Sequence, residues 1–172
     1  MKSLYVRCMD ALHRCCMVIA GICLVVITLI IPWGVFTRYV LNSAASWPEP
    51  AAVLLMIWFS FMAAALCYRE NLHIGVAVFP MMLRGKPRLA VGWLIEACMM
   101  GTNFFMFWWG VKLVETTWYQ SIADFPWYSV GLSYLPVPIG GIVTALFVIE
   151  RLWTSNLFAE PDAESLSTIA TE

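Results

Sequence analysis

Charge is what this chain has least of. Only 10 Lys and Arg and 11 Asp and Glu stand among 172 residues, a charged share of 12%. Soluble domains usually carry about 25% charged residues and about 45–50% apolar ones. Here 62% of residues are hydrophobic and the mean hydropathy is +0.79. That balance excludes a soluble globular enzyme and a disordered chain. A formal net charge of −1 argues against a basic nucleic-acid binder. Histidine is almost missing, with only His13 and His73, so a membrane haem anchor would have to use that single pair. The six cysteines, Cys8, Cys15, Cys16, Cys23, Cys67 and Cys98, form no CxxC pair and no metal-ligand spacing. No nucleophile–base arrangement or phosphate loop is present, and the glycine pairs lack the strand–turn–helix setting of a nucleotide site. No cofactor is expected.

What the chain has instead is long uncharged runs. Cys15–Thr37, Pro50–Tyr68 and Phe125–Ile149 are free of charge, and Leu89–Val111 is broken only by Glu96. A hydrocarbon core of about 30 Å takes roughly 20 helical residues. All four runs qualify. Lipid offers no partner for unpaired backbone groups, and period-2 alternation is absent, so helices are expected and a barrel is not. The prediction is an all-α membrane domain over 1–153. Its spans are near 15–37, 50–68, 89–111 and 125–149, and a disordered tail covers 154–172.

The basic residues orient it. Lys2, Arg7, Arg14, Arg69, Arg84, Lys86, Arg88 and Arg151 fall on the side of the N-terminus; Arg38 and Lys112 fall on the other. By the positive-inside rule both termini are expected in the cytoplasm. Trp33, Trp47, Trp108, Trp109, Trp118 and Trp127 fall near the outer interface, Trp93 and Trp153 near the inner one. That is an aromatic belt, and only Trp58 lies mid-span. Ser43-Ala44-Ala45 has the look of a signal-peptide cleavage site. The apolar run before it is about twice an ordinary h-region, and Arg38 intervenes, so a retained span is expected.

Between the second and third spans, Ile74–Leu83 is uncharged and mostly apolar, and Pro80 interrupts it. Ten residues give about 15 Å of helix, too short to cross. An interfacial amphipathic segment is expected there, pinned to anionic headgroups by Arg84, Lys86 and Arg88. Met1–Arg14 mixes apolar and basic residues and could form a second surface helix. The last span opens with Tyr134-Leu135-Pro136-Val137-Pro138-Ile139-Gly140-Gly141, which permits a kink and close helix contact.

Glu96 is the one carboxyl well inside a run, about 12 Å of helix past Arg88. It needs a partner, a proton or water. No intramembrane Lys, Arg or His is expected beside it, a thin basis for a proton relay. Gly92, Glu96, Asn103 and Gly110 share one helical face, which should meet protein through an interhelical or intersubunit hydrogen-bond contact. An alternative is a homo-oligomeric small transporter or channel built around Glu96. Glu49 and Arg69 bracket the second span with the polarity that suits a helix dipole.

The stretch from Ser46 to Val76 resembles the small permease subunit of TRAP transporters, the tripartite ATP-independent periplasmic uptake systems. The resemblance lies in Ser46-Trp47-Pro48-Glu49, Trp58, Ala63-Ala64-Ala65, Arg69 and His73-Ile74 followed by Val76, then in Tyr134 to Gly140 downstream. Pro50 and Ala77 stand where the family often has acidic residues. The order of these features across four spans is hard to obtain by chance. The resemblance implies a sodium-driven importer of an organic acid in a bacterial inner membrane. A periplasmic binding protein captures the solute and a large permease moves it. The small subunit scaffolds the permease and helps dock the binding protein. Subunit-interface candidates are Trp47, Glu49, Trp58, Gly92, Glu96, Asn103 and Gly110. Arg69, His73, Arg84, Lys86 and Arg88 are candidates for contact with membrane lipids. Trp118, Asp124 and Trp127 are candidates for docking the binding protein.

Overall fold

A computed structural model describes residues 2–43, 45–70, 86–122 and 124–154. The segment containing His73 and Arg84, the expected interfacial segment and the tail lie outside the described residues, as do the side chains of Lys86 and Arg88. The elements are α1 (Lys2–Tyr39), α2 (Pro48–Arg69), α3 (Lys86–Thr117), β1 (Ser121–Ile122), β2 (Phe125–Ser129), α4 (Val130–Tyr134) and α5 (Pro136–Thr154). Among the described residues, four helical stretches are long and apolar enough to cross a membrane: Tyr5–Tyr39, Pro48–Arg69, Leu89–Thr117 and Val130–Trp153.

Helix α1 is one unbroken rod of 38 residues, about 57 Å long. The separate surface helix expected over Met1–Arg14 does not exist as such. No Gly or Pro occurs between Lys2 and Ala20, so nothing interrupts the hydrogen-bond ladder, and charges alone do not break a helix. Pro32 lies inside the rod. After Tyr39 the chain turns through Asn42 at φ 49°, a left-handed conformation that Asn tolerates. Helix α2 starts on Pro48, whose missing N–H is not needed in a first turn.

The fourth span departs most from expectation. The uncharged run starting at Phe125 predicts helix there, but Phe125–Ser129 is a strand paired antiparallel with Ser121–Ile122. Pro126 and the aromatic, extended-favouring residues around it suit a strand better than a helix. Ser129 then sets the helix start. Its backbone is extended (ψ 137°) and its side chain accepts a hydrogen bond from the Gly131 N–H at 3.1 Å. The same hydroxyl donates to the Trp118 carbonyl, tying the hairpin to the end of α3. Leu135 keeps helical angles, so α4 runs into α5 across Pro136.

Helix α5 is the central element. Half of its most apolar window is buried, against about a fifth for each of the other spans. It packs between α2 and α3, while α1 lies chiefly on α2. The core contains Met9, Cys16 and Ala20 of α1, Met62, Ala65 and Tyr68 of α2, and Val143, Phe147 and Val148 of α5. The start of α1 and the end of α5 lie at one end of the bundle: Tyr5 stacks on Trp153 at 5.9 Å, and its hydroxyl donates to the Leu146 carbonyl at 3.1 Å.

Candidate functional site

At the end where α1 and α3 begin and α2 and α5 finish, the chain concentrates its polar chemistry. Arg69 closes α2 and sits between two carboxylates. Its Nε and Nη2 donate to the two oxygens of Glu150 at 3.0 and 2.9 Å, a bidentate pair. Its Nη2 also reaches Asp10 Oδ1 of α1 at 2.5 Å. The guanidinium lies 5.4 Å from the ring centre of Phe147. Only 19% of the Arg69 side chain and 11% of Glu150 are exposed, so water screens this pair little. Nearby, His13 Nε2 meets Glu70 Oε1 at 3.0 Å, which engages one of the two histidines available for haem.

One step deeper, Arg151 of α5 pairs with Glu96 of α3, Nε to Oε1, at 3.2 Å. The Tyr68 hydroxyl of α2 donates to the other oxygen of Glu96. The Arg151 guanidinium lies 5.7 Å from the Tyr68 ring centre. The Glu96 side chain is 3% exposed. The charge pattern predicts no cation beside Glu96; the structure supplies one. Arg151 stands just past the end of the fourth run, but α5 ends level with the first turns of α3, so the two meet.

The expected stripe is present and inward. Gly92, Glu96, Asn103 and Gly110 are all buried. Glu96, Asn103 and Gly110 meet α5. A Cβ at Gly110 would come within 3.0 Å of the Pro138 backbone nitrogen, and one at Gly141 within 3.0 Å of the Asn103 carbonyl. Bare glycine on both helices is what permits this close approach. Glu96, Asn103 and Gly110 thus take part in interhelical contacts. Trp47 and Glu49 stay exposed at the start of α2, and Trp58 is half-buried. Arg69 faces carboxylates of its own chain.

At the opposite end, Trp118, Asp124 and Trp127 are all exposed and gather on the β1–β2 hairpin and the segment leading into it. Trp127 is 81% exposed and Tyr119, beside the hairpin, 96%. Sequence reasoning missed Asp10, Tyr68, Glu150 and Arg151. Their signal was faint: ionisable or hydroxyl groups at the ends of three runs, all on one side.

The arrangement holds charges in place and offers no nucleophile or open ligand cage. Among the described residues no group of three His, Cys, Asp or Glu side chains is placed to hold a metal ion. The family described as tripartite ATP-independent periplasmic transporters, DctQ component, matches residues 9–156. The chain belongs to this family. It is therefore a small permease component of a TRAP transporter, a transport protein and not an enzyme. This DctQ chain is 26% identical over 141 residues to a protein named as a TRAP transporter small permease of Haemophilus influenzae, covering 78% of this chain and 83% of that one. It is 20% identical over 124 residues to the sialic acid TRAP transporter small permease of Vibrio cholerae, covering 72% and 71%. The match runs from the third turn of α1 to the end of α5, so the ion-paired junction and the aromatic hairpin both lie within the DctQ region.

Proposed function

We propose that this DctQ chain is a static subunit of a sodium-coupled, binding-protein-dependent importer of an organic acid, set in a bacterial inner membrane with both termini cytoplasmic. Its partners are a large permease subunit, which it scaffolds, a periplasmic binding protein, which it helps dock, and membrane lipids. The observation that carries the reading is the internal use of its charges. Glu96, Arg151, Arg69 and Glu150 are each paired within the chain. A translocation path needs polar groups turned toward the solute and broken helices at mid-membrane. Glu96, 3% exposed and paired with Arg151, is badly placed to line a pore between copies of the chain. The exposed aromatic hairpin at the far end is a surface fit for a soluble partner. Sodium coupling and the organic-acid class rest on the family resemblance. The Vibrio cholerae relative, named for sialic acid, is consistent with that class.

The test is co-expression with the large permease and binding protein of its transport system. The tagged chain is expected to co-purify with the permease, and deleting it should abolish uptake. Purification as a stable lone species, with uptake surviving deletion, would sink the proposal.

A further inference from the structure

Lys112 lies on α3 far from the ion network, and the surroundings of its ammonium are unusual. Its Nζ is 4.8 Å from the ring centre of Trp109 and 5.6 Å from that of Trp108. Each indole in turn lies against a ring one turn earlier. Trp108 stacks on Phe104 at 6.4 Å, and Trp109 meets Phe105 at 6.0 Å. Phe104, Phe105, Trp108 and Trp109 are 66%, 61%, 54% and 53% exposed. Two short aromatic columns therefore run along the outside of α3 and end under one cation. Aromatic faces hold an ammonium without neutralising it. Among the described residues no carboxylate forms an ion pair with Lys112.

Depth decides what can meet such a face. From Leu89 to Lys112 the helix rises about 34 Å, against a hydrocarbon core of about 30 Å. The phenylalanines and indoles then lie at acyl-chain and boundary depth, and Lys112 lies among headgroups. We propose that this face of α3 binds an anionic phospholipid, its phosphate on Lys112 and an acyl chain along the aromatic columns. The charge is complementary, the apolar surface is continuous with the cation, and both stand at the depths where a phospholipid carries the matching parts.

The test uses the purified full chain in detergent micelles, titrated with phosphatidylglycerol or phosphatidylcholine bearing brominated acyl chains. Tryptophan quenching is read, and the Trp108→Phe/Trp109→Phe variant isolates the share from these two rings. Phosphatidylglycerol is expected to quench that share at about fivefold lower lipid content than phosphatidylcholine, the effect of one surface cation. Lys112→Gln should remove the preference and Lys112→Arg should keep it. Lys112 is exposed, so neither change threatens folding. Equal quenching by the two lipids, or a preference that survives Lys112→Gln, overturns the proposal. So does loss of this quenching when the chain is bound to its large permease, which would show the face covered by protein.

Discussion

A carboxylate 3% exposed inside a bundle of membrane helices needs a counter-charge close by, because lipid and protein interior cannot solvate it. Glu96 finds one in Arg151 and a hydroxyl donor in Tyr68. Neither partner was legible from the sequence around Glu96. The inward direction of its face was legible, because Gly92, Asn103 and Gly110 repeat at helical spacing. The pairing predicts an asymmetry. Glu96→Leu or Arg151→Met alone should each cost about 3–5 kcal/mol, since each removes one side of a largely buried ion pair. The double variant Glu96→Leu/Arg151→Met should recover most of that loss. Denaturant unfolding of the four proteins in one detergent measures the cycle. Additive losses in the double variant would mean that the two groups are not coupled.

At the scale of elements, three helices lie near the runs that predict them, and the fourth is displaced. Length and hydropathy report that a stretch can cross lipid, but they do not separate a strand from a helix in an apolar run. Phe125–Ser129 is such a case: uncharged and aromatic, it passes for the start of a span until Pro126 and the Ser129 cap are weighed. The correction matters for function. It turns Trp127 from a residue near a helix start into the exposed side chain of a hairpin, 81% open. Trp127→Ala should therefore leave thermal stability unchanged. If the hairpin docks the binding protein, it should weaken that affinity about tenfold or more, as loss of an aromatic anchor does. Surface plasmon resonance with the immobilised small–large permease complex gives the affinity. An unchanged affinity would move the docking surface elsewhere.

The whole molecule is tied together from its last helix. Helix α5 packs between α2 and α3, and its Glu150 and Arg151 face opposite partners: Arg69 with Asp10, and Glu96 with Tyr68. Arg69 joins α1, α2 and α5 through one guanidinium. Arg69→Gln is expected to destabilise the chain by about 3 kcal/mol or more and to expose the start of α1 to protease. Arg69→Lys should recover only part, because an ammonium cannot make the bidentate contact. Limited proteolysis and thermal midpoints read both, and full tolerance of Arg69→Gln would remove the junction from any scaffolding role. By itself the amino-acid sequence determined that four stretches are long and apolar enough to cross a membrane. That follows because a bilayer demands about 20 apolar residues per crossing, a local requirement that a linear pattern records. Only the tertiary structure decided which helix is central, where the hairpin ends and the fourth helix begins, and which charges pair. Arg69 and Glu150 are 81 residues apart. Nothing local to either one specifies the other; their meeting depends on α5 returning to the end of the bundle where α2 finishes.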